Sequence, residues 1–392
     1  MPIAKKMVES VERSSMIRAM FELGAKLKAE HGSENVYDFS LGNPMLDPPA
    51  SFYQALAKAA EDHTLGTHGY MPNAGYPDVR AKVAEYLTRL HGPTFSADHI
   101  IMTVGAAGAL NAVLKAILDP GAEVLVPSPY FVEYDVYVDN HGGKLVRVPS
   151  KPDFDLDLEA LAGALNEKTY AVLINSPNNP TGVIYSEETL KELARILSQA
   201  GERQGRPIYL ISDEPYRKIV FGGAQVPSLF SIYPHSVVVT SFSKDLSLAG
   251  ERIGYMAISP QAADVEMLIG AAIVANRILG SVNAPALMQK VVAQCLDDSA
   301  DMGFYAKNRD LICEVLSKTG YEFTKPDGAF YVFPKSPIEN DVQFCKDAIE
   351  QNLLLVPGSG FFGPGHFRIA FCCPPEVIER SAQAFKKARE RY

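Results

Sequence analysis

The sequence has no apolar run long enough to span a bilayer. The longest, Met267 to Ala275, is nine residues, against the roughly 20 that a spanning helix needs. It has no positive excess either: 37 Lys and Arg against 46 Asp and Glu give a formal net charge of −9. A dedicated nucleic-acid binder needs a basic footprint to displace counterions, so that class is excluded. No block of five or six like charges marks an interaction tail. The five cysteines, Cys295, Cys313, Cys345, Cys372 and Cys373, form no C-x-x-C. Their usage points to a reducing compartment with buried thiols, and adjacent Cys372 and Cys373 read as small residues on a late strand. The eight histidines show no H-E-x-x-H and no pairing with cysteine, so no metal site is expected. A G-x-S-x-G nucleophile elbow is missing. The opening M-P-I-A-K-K-M has no apolar run after its lysines, so a cytoplasmic protein without a secretory leader is expected.

With 392 residues, the chain is long enough for a large core, and for one large domain with a smaller one attached. Apolar runs at His99–Val104, Glu123–Val126, Lys144–Val148, Tyr170–Asn175, Pro207–Ser212, Ser236–Ser241 and Ile253–Ser259 predict seven strands. They alternate with helical patterns at Ala107–Leu118, Leu156–Leu165 and Ser186–Ala200. This is an α/β pattern: a mostly parallel sheet covered by helices on both faces, with ligands outside the carboxyl ends of its strands. After about residue 285 the pattern becomes α+β. A helix over Ala300–Lys318 precedes short strands at Ala329–Phe333, Leu353–Val356 and Phe367–Cys372, and a helix over Pro375–Arg391 ends the chain. An amphipathic helix is expected around Met16–His31. The expected division is an N-terminal arm that joins the smaller domain (1–49), a large domain (50–285) and a small C-terminal domain (286–392).

Five strings carry chemistry. In Ser241-Phe242-Ser243-Lys244 through Gly250-Glu251-Arg252-Ile253-Gly254, a lysine follows a buried strand directly. Desolvation disfavours its charge and makes it a nucleophile able to form a Schiff base. Ser241 and Arg252 supply donors for an oxyanion such as phosphate. The plainer reading is a surface lysine paired with Asp245. Asn175-Ser176-Pro177-Asn178-Asn179-Pro180-Thr181-Gly182 reads equally as an ordinary turn or as a rigid turn presenting an amide. In Asp213-Glu214-Pro215-Tyr216 a carboxylate at a strand end can hold a ring nitrogen protonated. By itself, though, Asp213 reads better as a helix N-cap. Thr103 to Ala109 puts Gly105, Ala106 and Ala107 between a strand and a helix, where backbone amides and the helix N-terminus favour an anion. Close packing wants the same small residues. Arg368, inside an apolar late strand, suits a carboxylate or a structural ion pair. Gly358-Ser359-Gly360-Phe361-Phe362-Gly363 spells G-x-G-x-x-G, but Pro364-Gly365 and a strand follow instead of a helix. It reads as a Gly-rich loop and not as a dinucleotide site.

Together these strings resemble the fold-type I aminotransferases of class I/II, aspartate aminotransferase-like, which use pyridoxal phosphate. S-x-S-K-x-x-x-x-x-G-x-R-x-G is matched at every fixed position, and N-N-P-T-G and D-E-P-Y also fit. The resemblance runs from about Asp38 to Phe371. It implies that Lys244 holds the cofactor as a Schiff base and later moves the proton. It implies that Asp213 pairs with the ring nitrogen, that Tyr216 and Asn179 bond the phenolic oxygen, and that Phe131 stacks on the ring. Gly105, Ala106, Ala107, Ser241, Ser243 and Arg252 would bind the phosphate side, and Tyr70 would reach the partner subunit's phosphate. Arg368, helped by Gly42 and Asn179, would clamp the substrate carboxylate. Many relatives carry Ser or Thr where Ala106 and Ala107 stand, which shifts phosphate binding onto amides, Ser241 and Arg252. Dicarboxylate-specific members often use a partner arginine at the place of Ile278, and Arg277 is one residue earlier. The implied activity is a ping-pong transfer of the α-amino group of an L-amino acid to a 2-oxo acid such as 2-oxoglutarate, by a homodimer with shared sites. Aspartate is the first donor expected, before alanine and aromatic amino acids. A pyridoxal-phosphate lyase would use the same residues, and a non-catalytic cofactor sensor would need a DNA-binding extension that the basic-poor N-terminal region lacks.

Overall fold

The computed structural model describes residues 3–8, 11, 24 and 26–392. Of the helix expected over Met16–His31, residues 24 and 26–31 are helical, and the other positions lie outside the described residues.

In chain order the strands are β1 (Tyr37–Asp38), β2 (Ile100–Thr103), β3 (Glu123–Ser128), β4 (Lys144–Pro149), β5 (Thr169–Asn175), β6 (Tyr209–Asp213), β7 (Ser236–Ser241), β8 (Gly254–Ile258), β9 (Tyr331–Val332), β10 (Leu353–Leu354), β11 (Val356–Pro357) and β12 (Phe367–Ala370). All seven strands expected in the middle of the chain join one sheet, ordered β2-β8-β7-β6-β5-β3-β4. The pairs β3–β4, β3–β5, β5–β6 and β6–β7 are parallel. Strand β8 runs antiparallel to both neighbours. Residues 242–253, which join it to β7, form turns and no helix, so the chain returns without the helical crossover of a parallel pair. That short connection carries Lys244.

Two of the covering helices are capped by their own sequence. Ser186 accepts from the Thr189 amide at 3.0 Å and caps Glu187–Gln204, and Gly205 ends that helix in the left-handed region at φ 68°. Asp157 caps Leu158–Ala164 by accepting from the Ala160 amide at 2.9 Å. Helices cover both faces of the sheet, so it has two apolar layers. Leu125, Val172, Ile174, Leu210 and Val238 face one cluster, and Val124, Leu173, Ile211, Val237 and Val239 face the other. This alternation along each strand is the period-2 signature of a sheet buried on both sides.

The C-terminal region has its own aromatic core, including Phe39, Tyr305, Phe330, Phe344, Phe367 and Phe385. The run expected as one strand over Leu353–Val356 is split. Its first half, β10, pairs with β1, and β11 pairs with β12 in the sheet β11-β12-β9. Strand β12 ends at Ala370, so Cys372 and Cys373 follow the strand instead of lying on it. All five cysteines are free. Phe39 and Tyr37 come from the N-terminal region, so both chain ends build this layer. The division at residues 49 and 285 stays a proposal. Packing places Met288, Val291, Val292 and Leu296 in the large region's cluster, and Tyr305 in the other. Among the described residues no helix is long and apolar enough to cross a membrane.

Candidate active site

The carboxyl ends of β2, β3, β5, β6 and β7 open onto one cavity of about 410 Å3. This is where a parallel sheet exposes unpaired amides and diverging loops. The cavity is lined by Gly42, Ala106, Ala107, Phe131, Asn179, Asp213, Tyr216, Ser241, Ser243, Lys244, Arg252 and Arg368. Of the residues expected from sequence, only Gly105 and Tyr70 are not on its wall. Gly105 begins the adjoining helix Gly105–Ile117. Tyr70 is 94% exposed and lines a separate surface groove with Met71 and Asn283.

Among the described residues Lys244 is the sole lysine on the cavity wall. Its Nζ donates to the Gly42 carbonyl at 2.9 Å. Burial, with the Arg368 and Arg252 guanidinium groups adding repulsion, brings its pKa down to about 8. A sizeable neutral fraction is therefore present near neutral pH, as a nucleophilic amine requires. The alternative of a Lys244–Asp245 pair fails, because Asp245 pairs with Lys218 at 3.4 Å.

Asp213 ends β6 and is buried. No helix starts there, so the N-cap alternative also fails. Its Oδ2 accepts from the Tyr134 hydroxyl at 2.7 Å, while Oδ1 is buried without a hydrogen-bond partner. Asn175 fixes the neighbouring backbone. Its Nδ2 donates to the Asp213 carbonyl at 2.7 Å, and its Oδ1 accepts from the Asn179 amide at 2.7 Å. Burial raises the Asp213 pKa to about 7, against the Tyr134 hydrogen bond, which lowers it. Removing that hydroxyl raises the pKa further, and the carboxylate form then needs a higher pH. Tyr134→Phe is expected to move the acidic limb of the kcat/KM profile upward by about one pH unit or more, the worth of one charge-assisted hydrogen bond. A rate profile over pH checks it, and an unmoved limb contradicts the role of Tyr134.

Opposite Asp213, the first turn of Gly105–Ile117 leaves backbone amides without intrahelical partners. Ser241 and Arg252 close this end. Arg252 holds φ 54°, and its Nη1 donates to the Ala249 carbonyl at 2.9 Å. Gly254, the last fixed position of the lysine string, is there for close approach. A Cβ on it would lie 2.3 Å from the Thr240 carbonyl oxygen and 3.0 Å from the Gly105 backbone. The helix N-terminus, a serine and an arginine together make an anion cradle.

Across the cavity, Arg368 on β12 is buried between the Tyr331 and Phe361 rings, its Cζ 4.7 and 4.6 Å from their centroids. Nη1 donates to Asn179 Oδ1 at 3.1 Å and Nη2 to the Ser40 carbonyl at 2.7 Å, while Nε has no partner. Among the described residues no carboxylate pairs with it, so the structural ion-pair alternative fails. Tyr331 also shares a 3.0 Å hydrogen bond with the Tyr216 hydroxyl. A Cβ at position 42 would lie 1.9 Å from the Tyr331 hydroxyl oxygen, which fixes glycine there.

Sequence reasoning missed Tyr134, Asn175 and Tyr331. Asn175 stood inside a string already singled out, but nothing local marks Tyr134 as the partner of a carboxylate 79 positions away.

The profile of the family described as "Aminotransferase class I and II" matches residues 34–385. A probable aspartate/prephenate aminotransferase of Aquifex aeolicus is 34% identical over 376 residues, covering 91% of each chain. The aspartate aminotransferase of Thermotoga maritima is 32% identical over 381 residues, 95% of this chain and 96% of that one. Among solved structures, an aminotransferase from Eubacterium rectale superposes with a TM-score of 0.97 at 41% identity, over 100% of this chain and 99% of that one. Thermus thermophilus aspartate aminotransferase with maleate gives 0.87 at 29% identity, over 99% and 100%. By its sequence, its sheet and the lysine at the end of β7, the chain belongs to the class I and II aminotransferases, enzymes that use pyridoxal phosphate.

Proposed function

We propose that this aminotransferase moves the α-amino group of an L-amino acid to a 2-oxo acid such as 2-oxoglutarate, with aspartate as first donor and alanine and aromatic amino acids next. The supporting observation is that one cavity brings together a lysine of lowered pKa, a buried carboxylate and a buried arginine with no carboxylate partner. Aspartate is placed first on the names of the relatives.

The residues fit pyridoxal phosphate. The unpartnered Asp213 Oδ1 is an acceptor suited to a protonated ring nitrogen, and the cradle at Ala106, Ala107, Ser241 and Arg252 suits a phosphate. Lys244 is the amine that would hold the aldehyde, and Phe131 would lie against the ring. Tyr216 and Asn179 would donate to the phenolic oxygen. When bound, the cofactor supplies an electron sink for the broken Cα–H bond. The rest falls to the chain. Arg368 binds the α-carboxylate through its fork and fixes the direction of that bond. Asp213 holds a proton on the ring nitrogen. Lys244 Nζ takes the Cα proton and would pass it to the carbon that had carried the aldehyde.

The functional unit in this proposal is a cytoplasmic homodimer. Free cysteines suit a reducing compartment. Leu65, Tyr70, Met267, Val274 and Ile278 are exposed large apolar side chains, a surface that a second copy of the chain would cover. In that dimer Tyr70 reaches the partner subunit's phosphate cradle. Tyr70→Ala and Lys244→Ala are each expected to form glutamate from donor and 2-oxoglutarate poorly. Dissociated and mixed, they should recover about one quarter of the parental rate, because half of randomly paired dimers hold one intact site. No recovery contradicts the shared site. Ammonia and pyruvate released without an oxo-acid acceptor would contradict transamination and point to a lyase.

A further inference from the structure

Two strings that supply site residues also carry charges that face the other way. Asp213, Tyr216 and Lys244 line the large cavity. Glu214, Arg217, Lys218 and Asp245, interleaved with them, line a second cavity of about 30 Å3 beneath it. That space is about one water in size, and it holds two cations against two anions. Arg217 Nη1 donates to Glu214 Oε2 at 2.6 Å. Lys218 Nζ uses its three donors on three acceptors: the Leu296 carbonyl at 2.7 Å, the Asp298 carbonyl at 2.8 Å and Asp245 Oδ2 at 3.4 Å.

Asp245 is held at further points. Its Oδ1 accepts from the Leu246 amide at 2.9 Å, and its carbonyl accepts from the Ala300 amide at 2.7 Å. Asp245 follows Lys244 directly, so these bonds fix the backbone on which the Lys244 stem is built. Leu296 to Ala300 lead from the helix Ala286–Val292 into the helix Met302–Lys318, the start of the region that carries Arg368. One ammonium therefore ties the turn after β6, the turn after β7 and the entry to the C-terminal region.

We propose that Lys218 is a positioning residue, which holds Lys244 in register with Asp213 and Arg368 by clamping Asp245 to the carbonyls of Leu296 and Asp298. This rests on the roles proposed above for Lys244, Asp213 and Arg368. Lys218 touches neither substrate nor cofactor, and its effect passes through the Lys244 backbone. Displacements of about 1 Å at a reacting group cost on the order of 10²-fold in rate.

The test uses the full chain loaded with pyridoxal phosphate. Lys218→Met is expected to lower kcat about 10²-fold with KM little changed, and to speed cofactor release on dilution, read by loss of the visible band. It also leaves Asp245 buried without its cation, so the thermal midpoint should fall. Lys218→Met/Asp245→Asn removes that penalty. It is expected to regain the midpoint without regaining kcat or cofactor retention, and Lys218→Arg to regain part of both. Stability and kcat recovering together in the double variant would overturn the proposal, since Lys218 would then be structural only. So would a kcat for Lys218→Met close to the parent's. Failure of the underlying site reading is separate: the parent protein would take up no cofactor, or Lys244→Ala would turn over normally.

Discussion

Lys244→Ala is expected to lower turnover of every amino donor at least ~10⁴-fold, because one residue supplies both the nucleophile and the base. Among the described residues no other lysine lines the cavity, so none of them offers a second amine to substitute. The fold should survive. A long side chain is truncated at the wall of an open cavity, and a cation whose pKa burial has brought down to about 8 is removed. Its Nζ gives up one bond to the Gly42 carbonyl. The thermal midpoint should stay within a few degrees of the parent or rise, since removing a partly desolvated charge relieves its cost. Lys244→Arg keeps a charge but has no amine that titrates near neutral pH, and should be as inactive. Steady-state rates, with absorbance after dialysis against buffer, check both variants. Activity above about one per cent of the parent's would contradict the assignment, being more than loss of an acid–base group leaves.

Arg368→Leu carries the second large effect: kcat/KM for α-amino acids is expected to fall by about 30- to 5,000-fold. That is the range for truncating one partner of a buried, hydrogen-bonded charge pair. Arg368 is 8% exposed, its guanidinium lies between two aromatic rings, and its Nε has no partner. A buried cation without a carboxylate from its own chain is costly unless an anion is delivered to it. Leucine fills the space between the Tyr331 and Phe361 rings, so stability should be unchanged or improved. Arg368→Lys keeps charge but loses the planar fork, and should fall between parent and Leu variant. Cofactor absorbance should be intact in both, which separates a substrate defect from a cofactor defect. A Leu variant that loses the cofactor, or that keeps its kcat/KM, contradicts the clamp.

The parts legible in the sequence were those written locally. Each strand of the large sheet is a short apolar run ended by a turn, and Lys244, Asp213 and Asn179 stand where such runs stop. The antiparallel direction of β8 goes with a connection, residues 242–253, that shows no helical pattern and forms only turns. The splitting of Leu353–Val356 was not legible, because four apolar residues in a row do not say that two halves pair with different sheets. The partners of the catalytic groups were equally hidden. Tyr134 meets Asp213 across 79 positions, and Lys218 meets Asp245 only because β6 and β7 are neighbours. An isolated reading of Lys244-Asp245 suggested a pair between the two. The fold instead points one residue up into the cavity and the other down into the ion cluster.

The most direct test of half-transamination at Lys244 is the visible absorbance of the protein loaded with pyridoxal phosphate, recorded before and after a single L-amino acid. A band that bleaches with aspartate or another donor and returns when 2-oxoglutarate is added is the expected result. A band that no amino acid bleaches, or a protein that takes up no cofactor, would contradict it.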